Sequence, residues 1–465
     1  MTVVLARRAD IDLDAFLRVA WKGEGVEIAP EAVERVGRCR ETFLQLLESD
    51  PDAVVYGVTT GPGDRAAVQL SPEEQRRWAQ RAPATGASFG EPLPERVTRG
   101  IVLARLANFV EGHAAVRPDL MQAVAALLGG DPLPDVPARG NGGSGEILAL
   151  GHLFHDLGTR LALETKEAIA LVNGSPCASA LVADAALAGS RRLRLAEEVF
   201  ALATEAMRAP LEAYSEDLEP LWGDEHEQRA LRALRELMEG AGEERRPYQA
   251  PVSFRILPRV LGQASRALAE AESAATVALR SVTDNPVYVP PDAHRPLGTV
   301  FSTGGYHNGR AYPALDRLAC AWADLCQLAE RQTERLLQEP SALGGEEPFL
   351  NLLMMVQVGW AEDARTAAQP TLLPLGGFGQ NDTASPTFFA WEKERRAGVC
   401  LEASLAILGV VASQTLHVHG LPVPPALAGL LGAIRALLPP VEEHRPLGAD
   451  CGRVADAFSA RTLAP

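Results

Sequence analysis

The sequence predicts a mainly all-α protein: a long helical bundle with a mixed, loop-rich N-terminal domain. Three observations carry this. Residues 185–208, 229–239, 258–282 and 313–337 are long and rich in alanine and leucine, with glutamate and arginine on the opposite face, as a bundle requires. Alternation of apolar and polar residues, the mark of a half-buried strand, is nowhere evident. Irregular islands at 247–255, 282–286, 302–309 and 370–386 interrupt the helices, and loops held by a rigid bundle are where binding and catalytic groups concentrate.

In chain order, residues 30–47 read as an acid-started amphipathic helix. Ser71-Pro72-Glu73-Glu74 is an N-cap followed by proline at the first helical position and acids in the first turn. Between them, Val54-Val55-Tyr56-Gly57-Val58-Thr59-Thr60-Gly61-Pro62-Gly63 begins β-branched but is broken by three glycines and a proline, so it reads as a loop. Helical spacing returns at 94–109, at 118–128 and from Ile147 onward. Lys166-Glu167 opens an apolar segment that stops at the turn dipeptide Asn173-Gly174. We divide the chain into an N-terminal domain, 1–195, and a long-helix bundle, 196–465.

Composition narrows the function. The 465 residues are 47% apolar and 22% charged, as in an ordinary soluble globular protein. A formal charge of -16 argues against nucleic acid and anionic membrane as partners, since both attract clustered lysine and arginine. The six cysteines are scattered without a C-x-x-C, so free thiols are expected rather than a disulfide framework or zinc site. Acids at Asp10, Asp12 and Asp14 argue against a signal peptide, and the apolar run at 405–412 is too short to cross a bilayer. The expectation is a cytoplasmic protein. His152 and His155, three apart on a helix, have no H-E-x-x-H around them and read as packing residues. No metal or nucleotide is implied.

The chemistry centres on Arg139-Gly140-Asn141-Gly142-Gly143-Ser144-Gly145-Glu146, which leads into the helical run from Ile147. Three readings compete for it. A phosphate cradle is suggested by glycines at 140, 142 and 145, but three prolines precede it where a strand should be, and no lysine follows. A second reading makes Ser144 a plain helix N-cap. In the third, the Gly145 nitrogen attacks the Gly143 carbonyl carbon and Ser144 then loses water, leaving an electrophilic alkene made from backbone.

Taken together, the loop and the islands resemble the aromatic amino acid lyases, the histidine, phenylalanine and tyrosine ammonia-lyases and related aminomutases. The segment from Tyr56 to Gly63 is similar to Y-G-V-x-T-G-F-G, and Gly143-Ser144-Gly145-Glu146 to the tripeptide of G-A-S-G-D-L. Val116-Arg117-Pro118, Lys166-Glu167, Leu171-Val172-Asn173-Gly174, residues 249–255 against Q-D-x-Y-S-x-R, residues 281–286 against S-V-T-D-N-P, and Gly304-Gly305-Tyr306-His307 against G-N-F-H follow in family order. The resemblance implies a homotetramer with active sites assembled from several subunits and a methylidene-imidazolone formed from Gly143, Ser144 and Gly145. It implies elimination of ammonia from an amino acid, or migration of the amine. Tyr56 matches the base, and its phenol would need a lowered pKa to act near neutrality. Arg255 matches a carboxylate clamp. Asn173 and Gln249 match polar groups at electrophile and substrate, Tyr306 an aromatic beside the ring, and Asp382 lies in a loose echo of N-Q-E-D.

The chain also departs from the pattern. Val252 stands where the second catalytic tyrosine belongs, Ala250 replaces an aspartate, Gly305 an asparagine, Gly143 an alanine and Pro62 a phenylalanine. Two functions follow: an ammonia-lyase or aminomutase for a non-standard amino acid, or a diverged member without the electrophile that runs another reaction or serves as a scaffold.

Overall fold

Local signals place the first helices. Proline at the first position and an acid in the first turn start α1 (Pro30–Ser49). At α2 (Pro72–Ala79) the Ser71 hydroxyl accepts the Glu74 N–H, and the Glu74 carboxylate accepts the Ser71 N–H at 2.9 Å, a reciprocal capping box. There follow α3 (Glu95–Phe109), α4 (Pro118–Ala126), α5 (Ile147–Arg160), α6 (Glu167–Val172) and α7 (Pro176–Met207). After them come α8 (Glu225–Leu237), α9 (Leu257–Arg280), α10 (Ala311–Leu337), α11 (Leu352–Ala367), α12 (Thr387–Val418), α13 (Pro425–Leu437) and α14 (Gly448–Ala460). The computed structural model describes residues 2–338 and 349–460. Strands are short: β1 (Thr2–Leu5) pairs in parallel with β2 (Gly25–Ile28), and β3 (Val287–Val289) antiparallel with β4 (Thr299–Phe301). Runs of three or four residues are too brief to show an alternating pattern.

By contacts the chain forms two compact units. One contains Met1–Leu187, Ala271–Ala314 and Thr371–Glu392, the other Ala188–Glu270, Leu315–Pro370 and Lys393–Pro465. Cutting the sequence once, after residue 195, misses this interleaving. Three of the four irregular islands fall in the unit that holds the N-terminal loops, a long-range event that no local pattern reports.

In the first unit α3 is buried without a break from Val97 to Phe109. Its polar side chains therefore need internal partners. The Arg99 guanidinium donates to the Val19 and Glu24 carbonyls, both at 2.8 Å, and Arg105 donates to those of Ala170 and Asn173. Asn108 accepts the Thr283 N–H at 2.7 Å. Just before α6, Lys166 holds a left-handed φ of 70°, and its ammonium lies 2.5 Å from the Asp284 carboxylate with neither side chain exposed. Burial and the neighbouring guanidinia of Arg105 and Arg40 pull the lysine pKa down, against the carboxylate that holds it up.

In the second unit Trp322 and Arg192 both donate to Glu394 at 2.8 Å, and Arg192 also reaches Glu402 at 3.1 Å, all deep in the helical core. The apolar stretch of α12 is longer than the 405–412 run suggests, long enough to meet a bilayer's thickness. Of its most apolar window, 94% is buried inside the protein, where a core helix would keep it.

Breaking a buried ion pair by removing one partner strands the other charge. Lys166→Met should lower the denaturant midpoint by the equivalent of about 3–5 kcal/mol at unchanged m value. An unmoved midpoint would mean the pair does not secure this corner.

Candidate active site

The loop before α5 is shaped by its glycines. Gly140, Gly143 and Gly145 take φ of 75°, 107° and 74°, a region that strains any residue with a side chain. At Gly143 the space for a Cβ is open, so conformation alone, not crowding, accounts for glycine there. Asn141 anchors the turn: its amide donates to the Pro137 carbonyl at 2.7 Å and its Oδ1 accepts the Ser88 hydroxyl at 2.8 Å.

Glu146 closes the loop. Its fully buried carboxylate accepts the N–H groups of Cys177 and Ala178, at 2.6 and 2.7 Å, in the first turn of α7. Those N–H groups have no partner within their own helix, so the acid both satisfies them and meets the positive end of the helix dipole. Burial nevertheless dominates and pushes the carboxyl up to about 7, against the lowering effect of those two bonds.

Ser144 does not cap α5. The residue at the cap is Glu146, which makes no side-chain bond there. The partly exposed Ser144 hydroxyl instead donates to the Thr383 carbonyl at 2.7 Å, and the Gly143 carbonyl accepts the Ser385 N–H at 3.0 Å. Both partners belong to residues 371–386, a strap tied to itself by the Gly376 N–H to Asp382 carbonyl bond of 2.9 Å and the Ala384 N–H to Pro374 carbonyl bond of 3.0 Å. The strap also touches the Tyr56 loop, where the Gln380 amide donates to the Gly63 carbonyl at 2.5 Å and Asn381 to the Asp64 carboxylate at 3.0 Å.

Tyr56 is half-buried, its phenol oxygen accepting the Gly63 N–H at 2.8 Å. The lowered pKa that a phenol base needs near neutrality is not supplied by these surroundings: burial raises it, outweighing the Gly63 N–H, and Tyr306 and Asp64 add to the rise. No cation stands among the groups that act on it. Tyr306 packs against the loop, its Cδ2 3.7 Å from where a Gly145 side chain would begin.

Asn173 is buried at the end of α6, with its Oδ1 accepting the Gly174 N–H at 2.8 Å and its carbonyl held by Arg105. The first unit thus brings together Tyr56, Tyr306, Gly143, Ser144 and Gly145 beneath the strap. Asp382 is on the strap with its side chain exposed. Gln249 and Arg255 belong to the second unit; Gln249 is exposed, and the Arg255 Nε donates to the Ala250 carbonyl at 3.0 Å. Sequence reading missed the roles of Thr383 and Ser385. They act through backbone atoms, and only the irregularity of residues 370–386 signalled them. Among the described residues no group of three or more His, Cys, Asp or Glu could hold a metal ion.

Since the Glu146 pKa rises from an ordinary 4.5 to about 7 on folding, the folded chain holds that proton more tightly, and the resulting stability is complete below pH 4.5 and lost as pH rises through 7. The wild type should lose on the order of 3 kcal/mol across that window relative to Glu146→Gln, followed by denaturation at stepped pH. Parallel curves would remove the buried acid from the account.

The family model described as aromatic amino acid lyase matches residues 11–160 and 154–436. A histidine ammonia-lyase of Deinococcus radiodurans is 32% identical over 73% of this chain and 69% of its own, and one of Symbiobacterium thermophilum is 29% identical over 96% and 95%. Among solved structures, a tyrosine aminomutase from Streptomyces globisporus superposes with a TM-score of 0.85 at 23% identity, covering 96% of this chain and 95% of that one. Ergothionase from Treponema denticola gives a TM-score of 0.88 at 18% identity and 99% coverage of each chain.

Proposed function

The chain belongs to the aromatic amino acid lyase family, and we propose that it is an ammonia-lyase or aminomutase acting on an amino acid through a methylidene-imidazolone made from Gly143-Ser144-Gly145. The observation that carries this is the meeting of that tripeptide with the Tyr56 phenol and the Tyr306 ring in one unit of the fold. The residues present fit the group: left-handed glycines flank Ser144, and its hydroxyl is not committed to capping a helix. Once formed, the group supplies an electron-poor alkene able to activate the substrate amine as a leaving group.

Every other task falls to side chains. Tyr56 removes the β proton, and the Gly63 N–H that it already accepts would stabilise the phenolate. Tyr306 flanks the loop and excludes water from it. Arg255 clamps the substrate carboxylate with its planar fork, while Gln249, Asn173 and Asp382 supply polar contacts. In the homotetramer that the resemblance implies, sites draw on several subunits, and this is how Gln249 and Arg255 are recruited. Exposed apolar side chains on α11 (Leu352, Met355, Val356) and on the strap (Leu375, Phe378) support such association. The protein is proposed to work in the cytoplasm on a small molecule, with neither nucleic acid nor membrane as partner. The competing reading, another reaction in the same cavity, draws on one observation: Val252, 57% exposed, cannot move a proton where the family has tyrosine.

Intact mass with a peptide map over residues 139–160 tests the proposal. A deficit of two waters at Gly143-Ser144-Gly145, absent from Ser144→Ala, supports it and calls for an ammonia-release screen of amino acids; an unmodified wild type sinks it. Tyr56→Phe should keep the deficit and lose roughly 10²–10⁴-fold in kcat. Because burial holds the proton on Tyr56 above its usual range, kcat/KM of the wild type should climb with pH beyond neutrality, a rise that a low-pKa base would not give. Arg255→Ala should raise KM with little change in Tm, and an equal loss of stability would make that residue structural.

A further inference from the structure

Ring closure in Gly143-Ser144-Gly145 expels two oxygen atoms, the Gly143 carbonyl oxygen and the Ser144 hydroxyl oxygen. Both are held by the strap, through the Ser385 N–H at 3.0 Å and the Thr383 carbonyl at 2.7 Å. We propose that the strap is the catalyst of the chain's own maturation, with the Ser385 N–H as the oxyanion donor for the first step and the Thr383 carbonyl as the group that orients the Ser144 hydroxyl for the second. The inference rests on the reading that this loop cyclises.

The chemistry balances without an oxidant. The Gly145 nitrogen adds to the Gly143 carbonyl carbon, closing a five-membered ring and placing developing negative charge on the Gly143 oxygen. A preorganised donor aimed at the oxygen where charge develops lowers the barrier, and the Ser385 N–H already reaches that oxygen at 3.0 Å in the uncyclised chain. The oxygen leaves as water with the hydrogens of the Gly145 and Ser144 nitrogens, and a carbon–nitrogen double bond forms. Ser144 then gives up its Cα hydrogen and its hydroxyl as the second water, leaving the exocyclic methylene. Holding the hydroxyl on Thr383 fixes the side-chain rotamer from which that elimination starts.

What makes the strap a template is its independence of the loop that it serves. Its own bonds between Gly376 and Asp382 and between Ala384 and Pro374 set its path, and Gln380 and Asn381 pin its tip to the Gly63-Asp64 turn. The donor is therefore fixed before the reaction begins and needs no reorganisation during it, the condition under which such donors are most effective.

The test follows dehydration by intact mass in full-length protein made by cell-free synthesis and sampled over time. Two changes remove the Ser385 N–H: Ser385→Pro, and replacement of Ser385 by the corresponding α-hydroxy acid, which converts only that amide to an ester. Either should slow the loss of the first water by roughly 10²–10³-fold, the usual effect of deleting one oxyanion donor. Ser385→Ala keeps the N–H and should mature like the wild type. Should the proline variant fail to fold, as thermal denaturation would reveal, the ester variant still decides. An ester variant that loses both waters at the wild-type rate overturns the proposal, as does a Ser385→Ala chain that stalls. A wild type that never loses water removes the proposal together with the reading beneath it, whereas a normal wild type beside a normal ester variant rejects the proposal alone.

Discussion

N–H groups that open a buried helix must find an acceptor, because no carbonyl of their own helix reaches them. At α7 that acceptor is the Glu146 carboxylate, and much of the site depends on this bond. It ties the last residue of the glycine loop to the start of a 32-residue helix. The loop before it is then free to adopt left-handed turns without fraying. Burying the acid is expensive, which is why its proton is held to about pH 7.

Around this anchor, the first unit spends most of its buried polar atoms on backbone. Arg99 and Arg105 hold carbonyls, Asn108 and Thr283 meet between α3 and the chain beyond α9, and Lys166 reaches Asp284. Such a network, satisfied at most of its members, gives a rigid floor. Asn173 is part of that floor, because Arg105 fixes its carbonyl. Asn173 is thereby positioned from behind by Arg105, which is wholly buried.

Much of this was legible in the sequence, and the reason differs from element to element. The capping box at Ser71 and the proline start of α1 are local signals with local consequences, so they read true. Helices α9 and α10 begin within two residues of where their periodicity starts. By contrast, α7 begins at Pro176, earlier than its alanine-rich stretch suggested, because Glu146 caps it from a distance of 30 residues. The motifs identified Tyr56, Ser144 and Tyr306 as neighbours through family resemblance, not through any pattern in spacing. The sequence states what catalysis asks of the Tyr56 phenol but not its surroundings; burial, invisible in sequence, decides the direction of its pKa. Thr383 and Ser385 were beyond reach because their useful atoms are common to every residue.

Both hydrogen bonds that join the strap to the glycine loop end on oxygens that cyclisation removes. Maturation would therefore erase its own scaffold: the oxygens that carry these two contacts leave as water, and the contacts do not exist in the product. The immature chain would hold its strap at the glycine loop as well as at Gly63 and Asp64, and the mature one would keep the attachments at Gly63 and Asp64 without those to the loop. A segment clamped during assembly becomes looser in service, so the same residues can be stiff when the reactive group is made and yielding when molecules must enter and leave.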